Sequence, residues 1–139
     1  MSAQASKRKI LLVDDEESLV EVLSVRLRSE GYEVLSAYTG EKGFELARVE
    51  KPDVIILDIF LPGEDGLAIL KRLKRPIDSE TGEPSAIRDI PVIVVTGIGE
   101  KMEEVFVMES AFAFLTKPFE TQTLLHSIRK ALEKRGAGH

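Results

Sequence analysis

The chain has 139 residues, no cysteine and a formal net charge of −5 at pH 7. This length fits one domain, the lack of cysteine excludes disulfides and thiolate metal sites, and the acidic balance argues against a nucleic-acid-binding surface. Because the longest apolar runs are too short to span a bilayer and no signal-peptide segment opens the chain, we expect a cytoplasmic protein that binds no membrane.

Apolar strand-like runs and amphipathic helix-like segments alternate along the first sixty residues. The apolar runs are four or five residues long and rich in Val, Ile and Leu, which is typical of strands buried on both faces of a parallel sheet. Gly31 follows the first helix in the position of a C-cap. In chain order the pattern predicts a strand at Ile10–Asp14, a helix from Glu16 to Ser29, a strand at Tyr32–Ala37, a helix containing Gly43–Glu50 and a strand at Val54–Asp58.

The second half of the chain continues this alternation around one irregular segment. Residues Ile77 to Asp89 are polar, contain Gly and Pro and have no period, so we interpret them as an inserted surface loop rather than a partner-specific one. The regular elements predicted here are a helix from Leu67 to Arg75, a strand at Pro91–Thr96, a helix from Glu100 to Ser110, a strand at Ala113–Thr116 and a helix from Thr121 to Lys134.

Alternating strands and helices with right-handed crossovers predict an α/β fold with a doubly wound sheet. Five strands suggest a flavodoxin-like parallel sheet in the order 2-1-3-4-5, flanked by five helices. We expect residues 1–139 to form a single domain with a core at about 8–135 and the inserted loop at 77–89.

Polar residues that can build a phosphoryl-transfer site stand at the ends of four apolar runs. They are Asp14 and Asp15 after KILLV, Asp58 after DVIIL, Thr96 after PVIVV, and Lys117 with Pro118 after AFLT. Because ligand chemistry in parallel sheets gathers at the carboxyl ends of the strands, we expect these groups to converge in one crevice. Converging carboxylates repel one another unless a cation lies among them.

Each of these residues also has an ordinary interpretation when it is taken alone. An aspartate after a strand is usually a helix N-cap, which would account for Asp14 or Asp15. Thr96 could simply end a strand, a Lys-Pro pair is common in loops, and Phe114 could belong to the core. The coincidence of all of them, in this order and at strand ends, favours the functional interpretation.

The motifs LLVDDEE, VIILDIFLPGEDG, VIVVTG and AFLTKPF together resemble the receiver domain of two-component response regulators. The resemblance covers about residues 8 to 135, and the single-domain, chemotaxis-type members are most similar in length. It implies a phosphorylation-activated switch that takes a phosphoryl group from a histidine kinase or phosphotransfer protein. It also implies a protein that catalyses only its own phosphotransfer and autodephosphorylation.

The resemblance implies a role for each site residue. Asp58 would accept the phosphoryl group. Lys117 and Thr96 would contact phosphoryl oxygens, and Pro118 would follow a cis peptide bond. Thr96 would also act with Phe114 as the switch pair that responds to phosphorylation.

The implied cofactor is Mg²⁺, or Mn²⁺, because hard divalent ions bind carboxylates together with phosphate oxygens. Asp15 and Asp58 would bind the ion directly and Asp14 mainly through water. The backbone carbonyl of Phe60 would be the remaining protein ligand.

The implied output is a protein contact. The run Val105 to Met108 and the neighbouring Phe112 form an apolar region, and we expect the face carrying Val107 and Phe112 to bind a downstream protein or a second copy of the chain. Phe112 could instead fold inward as part of the core.

Three alternatives remain at this point. The chain could be a receiver taken from a longer regulator with a separate output domain. A magnesium-dependent phosphohydrolase with an aspartyl nucleophile is disfavoured, because Phe60 stands where such enzymes usually carry their general acid. A flavin-binding electron carrier is disfavoured too, because the acidic run Asp14 to Glu17 would repel a phosphate in the absence of a metal.

Overall fold

The aliphatic runs form one five-stranded parallel sheet in the computed structural model, which describes residues 7–59, 61, 66–97 and 111–137. The strands are β1 Lys9–Val13, β2 Glu33–Ala37, β3 Val54–Asp58, β4 Val92–Thr96 and β5 Ala113–Thr116. Neighbouring strands pair in parallel in the order β2-β1-β3-β4-β5, which confirms the predicted sheet order.

Four helices accompany the sheet in the described part of the chain. They are α1 Glu17–Ser29, α2 Gly40–Glu50, α3 Gly66–Leu73 and α4 Thr121–Ala137. The predicted helix from Glu100 to Ser110 lies outside the described residues, so the structure describes four of the five expected helices. The doubly wound α/β fold class is confirmed. None of these four helices is both long and apolar enough to cross a membrane.

The sheet separates two hydrophobic layers because successive residues of a strand point to opposite faces. Leu11 and Val13 of β1 pack in the layer that contains α2 and α3, whereas Ile10 and Leu12 pack in the layer that contains α1 and α4. Every residue of β3 and β4 is buried. A polar side chain on these central strands therefore meets solvent only at a strand end.

The irregular segment at 77–89 is tied to the body of the protein by specific contacts. Ile77 and Pro84 form an antiparallel bridge, and the backbone N–H of Asp78 donates to the carbonyl of Glu83 at 2.8 Å. Arg48 of α2 pairs with the carboxylate of Asp78 at 3.3 Å and also with that of Glu80. Near the end of the segment Ile87 is buried in the core layer of α2 and α3, so the segment packs on that side of the sheet.

Close packing of α2 on β1 fixes the end of β1, where the acidic motif begins. A Cβ atom added to Gly43 would lie 2.6 and 2.9 Å from the two methyl carbons of Val13. Val13 cannot retreat easily, because it is buried and pairs with Ala37 of β2 and Leu57 of β3. The residue directly after Val13 is Asp14, so this contact helps to position an acidic side chain.

We expect Gly43→Ala to destabilise the protein although alanine is the better helix former. Overpacking costs about 1–3 kcal/mol against a helix-propensity gain of about 1 kcal/mol, so the free energy of unfolding should fall by up to about 2 kcal/mol. Urea unfolding measures it. The control is Lys42→Ala at the exposed neighbouring position, which should stay within about 0.5 kcal/mol of wild type. A more stable Gly43→Ala protein would contradict the packing argument.

Candidate functional site

The carboxyl ends of β1, β3, β4 and β5 bring the predicted polar groups to one edge of the sheet. Backbone hydrogen bonds continue the ladders beyond the strands: the N–H of Asp14 donates to Ala37 at 3.0 Å, and that of Lys117 donates to Thr96 at 2.7 Å. Asp58 pairs with Val95, so it lies beside Thr96 across β3 and β4. These bonds fix the backbone of the site residues as firmly as that of the strands.

The ammonium group of Lys117 lies among three carboxylates. Its Nζ atom is 2.9 Å from Oδ2 of Asp14, 3.1 Å from Oδ2 of Asp58 and 3.4 Å from Oε1 of Glu16. Burial of the ammonium acts to lower the pKa of Lys117, but hydrogen bonds to Asp14 and Asp58 and the charges of both outweigh it, and the pKa lies above its ordinary value. Lys117 is therefore held as a cation at any physiological pH.

Asp14, Asp15 and Asp58 form a cluster suited to a divalent ion. Each offers a carboxylate oxygen, and these oxygens all lie within 4.8 Å of one another. Asp14 and Asp58 are buried and Asp15 is exposed, so the cluster has an open side. Hard oxygen ligands of this kind, facing solvent on one side, fit Mg²⁺, which keeps several of its waters.

Burial and repulsion make the charged form of Asp14 costly. Burial raises the pKa of Asp14 above its ordinary value, and the Asp58 charge adds to this, although hydrogen bonds from Lys117 and from the Glu16 backbone act in the opposite direction. Oδ1 of Asp14 accepts that Glu16 N–H at 2.9 Å, so the side chain orders the turn before α1. Asp14 thus has a local structural role as well as a place in the acidic cluster.

Thr96 and Phe114 lie on the same side of the sheet. Thr96 is buried at the end of β4 and pairs with Thr116, and Phe114 is two residues earlier on β5, which makes the two diagonal neighbours. Phe114 is half-buried against the core layer of α2 and α3. The geometry allows a change at Thr96 to reach the Phe114 ring.

Of the remaining predicted residues, the structure describes Pro118 and Phe112 but not Phe60 and Val107. The Lys117–Pro118 peptide bond is cis. Phe112 is half-buried against the layer of α1 and α4, with Nζ of Lys134 at 5.8 Å from the centre of its ring. Phe60 and Val107 lie outside the described residues, so the carbonyl ligand and most of the apolar output face stay predictions.

The contact of Glu16 with Lys117 was not predicted from the sequence. Glu16 stands within the motif LLVDDEE, and the signal for it was its place directly after the two aspartates. Its carboxylate is half-exposed, so it adds negative charge at the mouth of the site. The described part of the site therefore contains four carboxylates and one ammonium.

Known proteins resemble this chain in sequence and in fold. A family model described as the response regulator receiver domain matches residues 10–129. A CheY-like response regulator receiver domain protein from Methanospirillum hungatei JF-1 is 27% identical, with a TM-score of 0.83 over 96% of this chain and 100% of that one.

Two further solved structures agree with that match. A response regulator receiver domain protein from Clostridium thermocellum is 28% identical, with a TM-score of 0.80 over 95% of this chain and 99% of that one. The chemotaxis protein CheY4 of Vibrio cholerae is 26% identical, with a TM-score of 0.78 over 91% of this chain and 100% of that one. The likeness thus extends over nearly the whole length of each protein.

Removing the ammonium should destabilise the carboxylate cluster. We expect Lys117→Met to lower the free energy of unfolding by about 1–3 kcal/mol in the presence of chelator, since it removes a cation that contacts two buried carboxylates. Added Mg²⁺ should recover more stability in this variant than in wild type, because the ion replaces the lost charge. Thermal and urea unfolding with and without Mg²⁺ measure both effects.

The matched control is Lys130→Met, which removes an exposed lysine of α4 away from the site. It should leave both stability and the Mg²⁺ effect unchanged within about 0.5 kcal/mol. Equal stability of Lys117→Met and Lys130→Met in chelator would show that the ammonium does not hold the cluster together.

Proposed function

The chain belongs to the response regulator receiver domain family, and we propose that it is a phosphorylation-activated switch whose phosphoryl acceptor is Asp58. The observation that carries this proposal is the contact of one lysine ammonium with two buried carboxylates at the carboxyl edge of the sheet. A buried acceptor carboxylate needs a neighbouring cation, both to stay ionised and to balance the charge that arrives with the phosphoryl group.

The transfer step is a displacement at phosphorus. A carboxylate oxygen of Asp58 attacks the phosphorus of a phosphohistidine in a histidine kinase or phosphotransfer protein. The new oxygen–phosphorus bond forms as the nitrogen–phosphorus bond breaks, and the imidazole leaves with a proton taken from solvent. Lys117 then pairs with a phosphoryl oxygen, and the hydroxyl of Thr96 donates to another.

The acidic cluster is the proposed place of a divalent cation. Asp14, Asp15 and Asp58 would hold Mg²⁺ or Mn²⁺ together with the carbonyl of Phe60, a residue outside the described ranges. When bound, the ion neutralises charge on the phosphoryl oxygens. The protein's own contribution is to hold the acceptor and Lys117 in fixed positions before the donor arrives.

The response to phosphorylation would begin at Thr96. Movement of its hydroxyl toward the phosphoryl group frees space on the side of the sheet where Phe114 lies, and the ring follows. We propose that this biases a surface around Phe112 and the run that contains Val107, which then binds a downstream protein or a second copy in the cytoplasm. The half-burial of Phe112 limits its part in that surface to the exposed side of its ring.

Labelling with a small phosphoryl donor tests the acceptor. Incubation with acetyl phosphate and Mg²⁺ should add one phosphoryl group at Asp58, located by mass spectrometry after borohydride reduction, and Asp58→Asn should abolish it. The control variant Asp89→Asn changes an exposed aspartate at the other edge of the sheet, and it should be labelled to the same extent as the wild type. Undiminished labelling of Asp58→Asn would assign the acceptor elsewhere.

Metal dependence is tested at the exposed member of the cluster. Asp15→Asn should weaken Mg²⁺ binding by about tenfold or more and reduce labelling at low Mg²⁺, because it removes one of a few charged ligands. The control is Glu17→Gln, an exposed carboxylate at the start of α1. Isothermal titration gives the affinity. Full labelling of the wild type in excess chelator would show that no divalent ion is needed.

A further inference from the structure

A second concentration of charge lies at the opposite edge of the sheet and has the opposite sign. A cavity of about 890 Å³ opens beside the residues that precede β4 and β5, between the end of α3 and the last turns of α4. Its charged lining consists of Lys74, Arg88, Lys134 and Arg135, with Asp89 as the one carboxylate among the described lining residues. In a protein with a net charge of −5, this local excess of positive charge calls for an explanation.

None of these four cations has an ion-pair partner within the described residues. Nη1 of Arg135 is buried and, within the same described ranges, has no hydrogen-bond acceptor. A buried guanidinium N–H without an acceptor costs free energy. Burial is the main cause that lowers the pKa of Lys74 to about 8, and the charges of Arg135 and Arg88 add to it, although Asp89 acts in the opposite direction.

Helix chemistry explains only part of this cluster. Lysine and arginine are favoured in the last turn of a helix by the helix dipole, which accounts for Lys134 and for Lys74 just after α3. It does not account for Arg88, which lies on a loop, or for the buried nitrogen of Arg135. The arrangement has the features of a site for an anion.

The walls of the cavity are held in place by backbone contacts. Nζ of Lys74 donates to the carbonyl of Ile90 at 2.6 Å and to that of Arg88 at 3.1 Å, which fixes the loop to the end of α3. The N–H of Phe112 donates to the carbonyl of Val92 at 2.8 Å, which fixes the opposite wall. The site is therefore formed before any ligand arrives, which lowers the cost of binding.

The size and apolar lining of the cavity indicate the kind of anion. The volume is in the range of small-molecule pockets, about 300–1,000 Å³, and is much larger than a single phosphate requires. Pro91, Ala111, Phe112 and Ala131 give it an apolar side next to the cations. Arginine pairs with phosphate through two parallel N–H donors, and a phosphate monoester carries nearly two negative charges to balance several cations.

We propose that this cavity binds a small molecule that carries a phosphate group on an apolar or planar body, such as a mononucleotide. The phosphate lies against Arg135, Lys134 and Arg88, and the body packs against Pro91 and Ala131. The site is separate from the acidic cluster, so ligand binding there does not depend on the proposed function of Asp58.

The test uses AMP as the probe in the presence of chelator, with inorganic phosphate and adenosine as the two part-ligands. Amide chemical shifts of the ¹⁵N-labelled full chain should change saturably at residues 111–112 and 131–135. AMP should bind more tightly than either part-ligand. Arg135→Gln and Lys134→Gln should each lower the affinity for AMP by about tenfold or more, as expected for the loss of a charge-assisted hydrogen bond. The control variant Lys130→Gln, at an exposed position on the same helix, should bind AMP with the wild-type affinity.

Thermal unfolding separates loss of binding from loss of fold. Arg135→Met removes the buried unpaired nitrogen, so it should be at least as stable as wild type without ligand and should gain no stability from AMP. Absence of saturable shifts, shifts centred on Asp58 and Lys117, or equal AMP affinity in Arg135→Gln would overturn the proposal. So would phosphate alone binding as tightly as AMP, or binding of a polyglutamate peptide in preference to AMP.

Discussion

The ammonium of Lys117 between Asp14 and Asp58 is the interaction on which the acidic site depends. Two buried carboxylates at hydrogen-bonding distance from one nitrogen would repel each other strongly without it, because the surroundings are apolar β-strands. One ammonium cannot balance the charges of Asp14, Asp15, Asp58 and Glu16. The site therefore has excess negative charge, which favours a divalent cation and disfavours a bare phosphate.

The burial of β3 and β4 explains why this chemistry lies where it does. All their residues are enclosed, so polar side chains with a catalytic or binding role can stand only at the strand ends. The parallel order brings the carboxyl ends of β1, β3, β4 and β5 to one edge and their amino ends to the other. The acidic cluster and the basic cavity are at these two edges, and the hydrophobic layers separate them.

Much of the fold and of the acidic site could be predicted because short, local stretches of sequence determine both. Each strand is a run of aliphatic residues, and each site residue directly follows such a run, so strand order alone brings them together. Small differences arise at element ends: Asp14 keeps a ladder hydrogen bond although β1 ends at Val13, and α4 continues beyond Lys134 to Ala137. Such ends depend on local backbone geometry that apolar periodicity does not report.

Features made by long-range contacts could not be predicted in this way. The segment at 77–89 has no period, and its position depends on Arg48 of another helix and on the burial of Ile87. The basic cavity draws its lining from four separate stretches, from Lys74 to Arg135, and none of them carries a motif. Within the sequence its cations resemble ordinary surface lysines and arginines, and only the fold shows that a nitrogen of Arg135 is buried without an acceptor.

The solvent-exposed charges of the two edges are largely screened from each other. β4 has five residues and so separates them by about 17 Å, whereas charges in physiological salt are screened over about 8 Å. The exposed charges of the two edges, Arg88 and Lys134 at one and Asp15 at the other, therefore interact only weakly. The sheet also offers a mechanical connection between the two edges. It would pass along β4 and β5, which carry Thr96 and Lys117 at one end and Pro91 and Phe112 at the other.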